Sequence, residues 1–306
     1  VIPPREYYPQ GGVLWKLKRA MYGLKQSPKA WQMHFASVTS RLGFRRLKSD
    51  ANLYYHPQLQ VYLLCYVDDL LLFGQKEPCR HLFSEVQKEL LLREEGTLLP
   101  GETISFLGRT ITRREDSVEI SMSTSYVDKM LEEMDVKTCS PSNTPGTGSL
   151  RKKIESEEHL TESQHKQYRR VVGQLLWLSS IRPDVQYAVK ELSRGLVAPT
   201  SDHSAKLRTL LRYLSGTKLC VLTLRPKIKL HEKMTSLDIE TYVDSDWAGC
   251  VQTRKSTSGI TIYFLAALIT TQGKTQQTVA LASGEAELYA IGLGTSESLF
   301  VKVASS

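Results

Sequence analysis

Apolar residues recur at helical spacing through "SPKAWQMHFASVTSRLGF" (27–44), and the stretch opens on Ser27-Pro28, a good helix start. Shorter apolar runs surround it. "ANLYYHP" (51–57), "VYLLCYV" (61–67), "LLLFG" (70–74) and "VEISMS" (118–123) read as strands bounded by polar or turn-forming residues. Residues 1–122 therefore alternate helix and strand signals. The turn-rich "KTCSPSNTPGTGS" and the charged "RKKIESEEHLTES" make a linker of residues 137–163. Residues 160–215 are read as mostly helical, because "YRRVVGQLLWLSS" and "DVQYAVKELSRGL" are both amphipathic. From residue 238 the period shortens again. "IETYVDSDW", "GITIYFLAALI" and "QQTVALA" are expected as three strands, and "GEAELYAIGLG" as a helix.

One stretch breaks the apolar rule. In "CYVDDLLLFG" (65–74), Asp68 and Asp69 interrupt a run whose flanks read as buried on both faces. Buried carboxylates are costly unless they are paired or bind a cation. Two apolar runs around a short polar tip predict a β-hairpin that presents both acids at one end of a sheet. A solvated turn would use Asp for ordinary turn chemistry. Paired hard oxygen ligands instead suit Mg²⁺, and two such ions about 4 Å apart recur in phosphoryl transfer on nucleic acids.

Charge and composition narrow the partner. The 306 residues suit two or three compact units, and 41% hydrophobic content is enough for real cores. A formal net charge of +8 favours a polyanion such as nucleic acid. The five cysteines form no CxxC or Cys/His cluster, which fits reduced thiols inside a cell. No run approaches the roughly 20 apolar residues a bilayer span needs, so no membrane partner is expected. Around Gly23 the basic residues Lys16, Lys18, Arg19, Lys25 and Lys29 offer phosphate contacts, and Tyr22 a stacking face. Gly23 would let the backbone approach a base pair or nucleotide closely. A charged helix face with a structural glycine is the plainer alternative. Near the C-terminus, Asp244 and Asp246 alternate onto one face of a strand, and Glu285 and Glu287 open a helix at Ser283-Gly284. Acids in a first helical turn are also ordinary helix chemistry.

The Asp pair resembles the Tyr-x-Asp-Asp box of reverse transcriptases. "LWKLKRAMYGLKQSPKAWQ" (14–32) is similar to the Leu-Tyr-Gly-Leu-Lys-Gln-Ser-Pro-Arg-Ala-Trp block of copia-type long-terminal-repeat retrotransposons. "SFLGRTITR" (105–113), "IRPDVQYAVKELSR" (181–194), "LRYLSGT" (211–217), "YVDSDWAG" (242–249), "RKSTSGI" (254–260) and "QQTVALASGEAELYA" (276–290) resemble further blocks of that family, in family order. The resemblance implies a fragment of a Pol polyprotein, carrying a reverse transcriptase followed by a ribonuclease H. The implied fold is α+β. Residues 1–122 would be partial fingers and the palm of a right-hand polymerase, 123–237 a helical thumb and connection, and 238–306 a truncated ribonuclease-H-like α/β unit.

The same resemblance assigns roles. Gly23, Lys25 and Gln26 would lie beside the template and nucleotide pocket, Tyr22 among them, and Tyr66 near the primer end. Asp68 would be the principal metal ligand and Asp69 its acidic neighbour, with Asp244 and Glu287 the metal-binding acids of the ribonuclease H. Asp246 would be an outer-sphere helper or simply a family residue. Phe106, Leu107 and Gly108 resemble the hairpin that grips the primer. The implied cofactor is Mg²⁺ or Mn²⁺. The implied partners are an RNA template, a DNA primer, RNA–DNA hybrid, deoxynucleoside triphosphates and the rest of the Pol polyprotein, in the cytoplasm or the nucleus. Residues 1–13 contain no Asp, where a reverse transcriptase needs a further metal ligand, and the ribonuclease H acids beyond the first helix are missing. The chain alone is therefore expected to be inactive. The alternatives are a degenerate, non-catalytic nucleic-acid-binding remnant, and a basic scaffold with a structural Asp pair.

Overall fold

The computed structural model describes residues 1–4, 6–7, 10–146, 158–227 and 238–305. The charged stretch 151–157, within the expected linker, lies outside the described residues. The chain divides into two compact units, Val1–Glu94 and Glu95–Ser306. Among the described residues there are seven helices and three antiparallel sheets, a mixed α/β architecture. No helix among them is long and apolar enough to cross a membrane.

In the first unit α1 (Ser27–Arg41) begins at the expected Ser27-Pro28. Proline suits a first helical turn because its missing N–H would have no partner there. A four-stranded meander follows, β1 (Arg45–Arg46), β2 (Leu53–His56), β3 (Val61–Tyr66) and β4 (Asp69–Phe73), paired in chain order, and α2 (Lys76–Glu89) closes the unit. Val61, Leu63 and Cys65 of β3 are buried with Phe35 of α1 and Leu82 and Val86 of α2. Tyr62 and Leu64, which alternate with them, are only half-buried, and β4 has exposed ends. The expectation of strands buried on both faces is therefore corrected. One face packs on the helices, as an antiparallel meander allows, and the other does not.

In the second unit β5 (Thr103–Phe106), β6 (Arg109–Arg113), β7 (Val118–Met122) and β8 (Leu222–Leu224) form one sheet. Among the described residues four helices intervene between β7 and β8: α3 (Thr124–Glu133), α4 (Glu162–Ser179), α5 (Pro183–Ser193) and α6 (Ser201–Gly216). Their buried positions recur at three and four residues. Examples are Tyr168, Val171, Val172 and Leu175 in α4, Val185, Ala188, Val189 and Leu192 in α5, and Leu207, Leu210, Leu211 and Leu214 in α6. That stripe is the helical signature read from the sequence, and it builds the larger core of the chain. A capping box at Thr161, reciprocated by Gln164, starts α4.

The last sheet joins β9 (Ile239–Asp246), β10 (Thr257–Phe264) and β11 (Ala267–Thr275) in the order β11-β10-β9, and α7 (Ser283–Ser305) packs on it. Three strands and a helix were expected, but two of the strands are drawn differently. "GITIYFLAALI" is not one strand. It folds back at Leu265-Ala266, both with positive φ (50° and 65°), the conformation a tight hairpin turn requires. "QQTVALA" is not a strand at all. Gln276 instead turns inward, donating to Ser258 Oγ (3.0 Å) and the Ala286 carbonyl (2.8 Å), and the Ala280 carbonyl accepts from Trp247 Nε1 (3.1 Å). Side-chain bonds replace the ladder and carry the chain into α7. Polar contacts from α5 reach this sheet, Gln186 to the Thr271 carbonyl (2.6 Å) and Lys190 to Thr257 Oγ1 (2.9 Å).

Candidate active site

The β3–β4 hairpin turns on two residues, Val67 and Asp68, between the paired Tyr66 and Asp69. Val67 has φ 55°, a left-handed conformation that β-branched residues rarely adopt, worth roughly 1–2 kcal/mol of strain. Two contacts hold the tip in place. Trp31 Nε1 on α1 donates to the Val67 carbonyl at 2.9 Å, and the Tyr22 hydroxyl donates to Asp68 Oδ2 at 2.6 Å. Asp68 and Asp69 are both exposed, as the expected hairpin tip requires: the turn carries them out of the sheet into solvent. Tyr66 is exposed beside Asp69. The sulfur of Cys65, buried just behind the tip, has its ionisation pushed up to about 11, by burial first and then by the Asp68 charge. Tyr22 also ionises above the ordinary tyrosine range, chiefly because its proton is held by Asp68.

The Tyr22 side comes from a tight turn. Leu24 N donates to the Met21 carbonyl (3.4 Å), and Gly23 between them has φ 87°. Positive φ at the third residue is the mark of a type II turn, which calls for glycine there. This accounts for Gly23 through backbone conformation. A Cβ at Gly23 would meet nothing within 4 Å in the chain itself. Ser27 Oγ also donates to the Met21 carbonyl (2.5 Å), tying the turn to the start of α1. Lys16, Lys18, Arg19, Lys25, Gln26 and Lys29 are all exposed around it. Two sequence blocks 46 positions apart, at Tyr22 and Asp68, thus meet at one tip.

The residue that sequence reasoning overlooked here is Trp31. A signal existed: an indole N–H near a core must find an acceptor, and Trp31 sits at helical spacing from the buried Phe35. The Tyr22 hydroxyl was overlooked in favour of its ring.

The second group of acids is arranged differently. Asp244 is exposed on β9, opposite Gly259 of β10. Its neighbours Thr241 and Val243 point the other way, where Gly294 and Ser298 of α7 approach: Thr241 Oγ1 lies 2.6 Å from Ser298 Oγ, and a Cβ at Gly294 would collide with Val243 Cγ1. Glu287 is exposed on α7, next to the buried Ala286. Asp246 turns back on its own loop. Its Oδ1 accepts from Thr257 N (2.5 Å), and a Cβ on Gly249 would collide with its Oδ2. Glu285 works at the helix start, where its carboxylate accepts from Leu281 N (2.6 Å). Among the described residues no group of three or more His, Cys, Asp or Glu side chains gathers to hold a metal.

The Phe106–Arg109 hairpin turns through Leu107 (φ 50°) and Gly108 (φ 71°). Arg109 then lies over the Trp177 ring (4.8 Å) and donates to Ser180 Oγ (2.8 Å), fixing the hairpin to the end of α4.

Residues 3–147 match the family model described as reverse transcriptase (RNA-dependent DNA polymerase). The chain is 31% identical over 285 residues to the retrovirus-related Pol polyprotein from transposon RE1 of Arabidopsis thaliana, covering 92% of this chain and 18% of that protein. It is 31% identical over 302 residues to the Pol polyprotein from transposon TNT 1-94 of Nicotiana tabacum, covering 94% of this chain and 21% of that one. A shorter relative, the uncharacterized mitochondrial protein AtMg00810 of Arabidopsis thaliana, is 30% identical over 238 residues, which cover 78% of this chain and 92% of the relative.

Proposed function

From the premise that this chain belongs to the copia-type retrotransposon Pol family, in its reverse transcriptase region, we propose that it is the part of an RNA-directed DNA polymerase that carries the catalytic Asp pair. The observation that supports this best is the junction at the tip, where Tyr22 and Trp31 of one family block hold the hairpin that bears Asp68 and Asp69 of another. In this reading residues 1–122 are palm with partial fingers, 123–237 thumb and connection, and 238–306 the opening part of a ribonuclease H that acts on RNA–DNA hybrid.

The tip suits a divalent cation by its chemistry: two adjacent exposed carboxylates are hard oxygen donors of the kind Mg²⁺ and Mn²⁺ take. Asp68 and Asp69 would hold it, and when bound it supplies the positive charge that offsets negative charge building on reacting phosphate oxygens. The chain's own residues do the rest. Trp31 fixes the tip through the Val67 carbonyl. The exposed Lys16, Lys18, Arg19, Lys25 and Lys29 attract the backbone of RNA template and DNA primer. Gln26 and the Gly23 turn line the side where a deoxynucleoside triphosphate enters, and Tyr66 meets the primer end. Asp244 and Glu287 play the acidic part in the ribonuclease H.

Two carboxylates make only part of a six-ligand shell, and this chain spans only 18% and 21% of its RE1 and TNT 1-94 relatives. The reading therefore assigns the remaining ligands to other parts of a Pol polyprotein acting inside the cell, and expects no synthesis by this chain alone. A second reading, a Pol-derived remnant that only binds nucleic acid, draws on AtMg00810, a relative almost wholly covered by the alignment. Primer extension on an RNA template decides. A Pol segment extended upstream to include a further Asp-bearing strand should synthesise DNA with Mg²⁺, and residues 1–306 should not. An extended segment that binds duplex but stays silent favours the remnant, and extension by residues 1–306 alone overturns the incomplete-site argument.

A further inference from the structure

The tip acid Asp68 is exposed, on a two-residue turn, where an aspartate side chain ordinarily samples several rotamers. Here one oxygen is held. The Tyr22 hydroxyl donates to Oδ2 at 2.6 Å, the length of a strong O–H to carboxylate bond. Tyr22 is itself set by its turn: Gly23 at φ 87°, Leu24 N on the Met21 carbonyl, and Ser27 Oγ on the same carbonyl. The carboxylate is thus held twice, by its side chain through Tyr22 of the turn before α1 and by its backbone neighbour Val67 through Trp31 of α1.

We infer that Tyr22 is a positioning residue for the cation site, its hydroxyl orienting the Asp68 carboxylate so that the remaining lone pairs face the metal. This rests on the reading of Asp68 as a metal ligand. A ligating carboxylate is normally oriented by an outer hydrogen bond, and a carboxylate oxygen has lone pairs for both a hydroxyl and a cation. Tyr22 as a residue is 79% exposed, so its hydroxyl contact is not a by-product of burial.

The test is Mn²⁺ binding to the whole chain, followed by the electron paramagnetic resonance of free Mn²⁺, in the wild type, Y22F, D68N and the double variant. Phenylalanine keeps the exposed ring and removes only the hydroxyl, so folding is not at stake. Y22F should weaken the tip site by roughly tenfold, the lower end of the loss found for outer-shell partners. In the D68N background Y22F should change nothing further, which a general structural role would not predict. Unchanged or tighter binding by Y22F overturns the inference while leaving Asp68 as a ligand. Mn²⁺ binding that survives D68N overturns both the inference and the reading beneath it.

Discussion

The chain spells Tyr-Val-Asp three times, once inside α3 at Tyr126-Val127-Asp128 and twice in strand segments, at Tyr66-Val67-Asp68 and at Tyr242-Val243-Asp244, and it folds the latter two words in opposite ways. In the first, the valine is the corner of a hairpin with φ 55°, and the aspartate is in the turn, held by a tyrosine hydroxyl. In the second the three residues run straight through β9, the valine faces Gly294 of α7, and the aspartate is exposed from the opposite side of an extended strand. The difference lies two positions on. The first word continues into Asp69 and an apolar run that pairs back on β3, whereas the second continues through Ser245 and Asp246, still paired with β10. Register, not the word, decides whether an acid sits on a tip or on a face.

The two acids should separate most widely in catalysis. In a synthesis-competent Pol segment, Asp68→Asn should lower DNA synthesis by about 10³-fold, since losing a metal ligand removes several kcal/mol of transition-state stabilisation. Asp244→Asn should leave synthesis within about twofold and abolish RNA cleavage in a hybrid, a similarly large loss confined to the other activity. Running primer extension and hybrid cleavage on the same preparations checks both. Synthesis that falls equally in the two variants would mean that the acids do not serve separate sites.

The two valines should separate in stability. Val243→Gly removes a side chain packed on α7 and loosens a strand interior, for a loss of about 2–3 kcal/mol. Val67→Gly should stay within about 1 kcal/mol, because glycine adopts φ 55° freely and the strain it relieves offsets its greater freedom in the unfolded chain. Urea midpoints measure both. Equal shifts would show that Val67 is not strained.

Much of this is legible in the sequence, and the failures have physical causes. The helical stripe at Leu207, Leu210, Leu211 and Leu214 is a local periodicity, so it can be read directly. The Asp68-Asp69 hairpin is read from the apolar runs around it. The turn at Leu265-Ala266 is not, because neither residue is a usual occupant of positive φ and the apolar run continues through them. Residues 276–282 look like a strand, yet Gln276 and Ala280 spend their polar groups on Ser258, Ala286 and Trp247, partners far away in sequence that no local pattern announces. The same limit hides Tyr22 and Trp31. Both reach residues 36 or more positions away, and only the folded chain brings them to the tip.

The aspartates that follow the two words, Asp69 and Asp246, should separate more modestly. Asp246→Ala removes the acceptor of Thr257 N and opens the loop that Gly249 closes, at a cost of about 1–2 kcal/mol. Asp69→Ala should leave stability within about 0.5 kcal/mol, because the residue is exposed at a strand end. The same urea series reads this pair, and a large loss in Asp69→Ala would give that residue a structural role it has not been assigned.

The smallest effect expected is in nucleic-acid binding, and it tests whether the basic surface belongs to the tip. Each lysine that neutralises a phosphate on duplex binding releases condensed counterion, so the slope of log affinity against log salt falls by about 0.9 for each phosphate left unneutralised. Lys25 and Lys29 are exposed beside the Gly23 turn. Replacing both with alanine should shallow the slope for primer–template duplex by about 1.8. Lys274, by contrast, is already paired with Glu297 at 3.1 Å, between β11 and α7. A cation that keeps a carboxylate partner neutralises less phosphate, so Lys274→Ala should leave the slope nearly unchanged. If Lys274→Ala shifts the slope as much as the double variant does, the polyanion is not drawn specifically to the surface around Asp68, and the charge of +8 acts as a diffuse field instead.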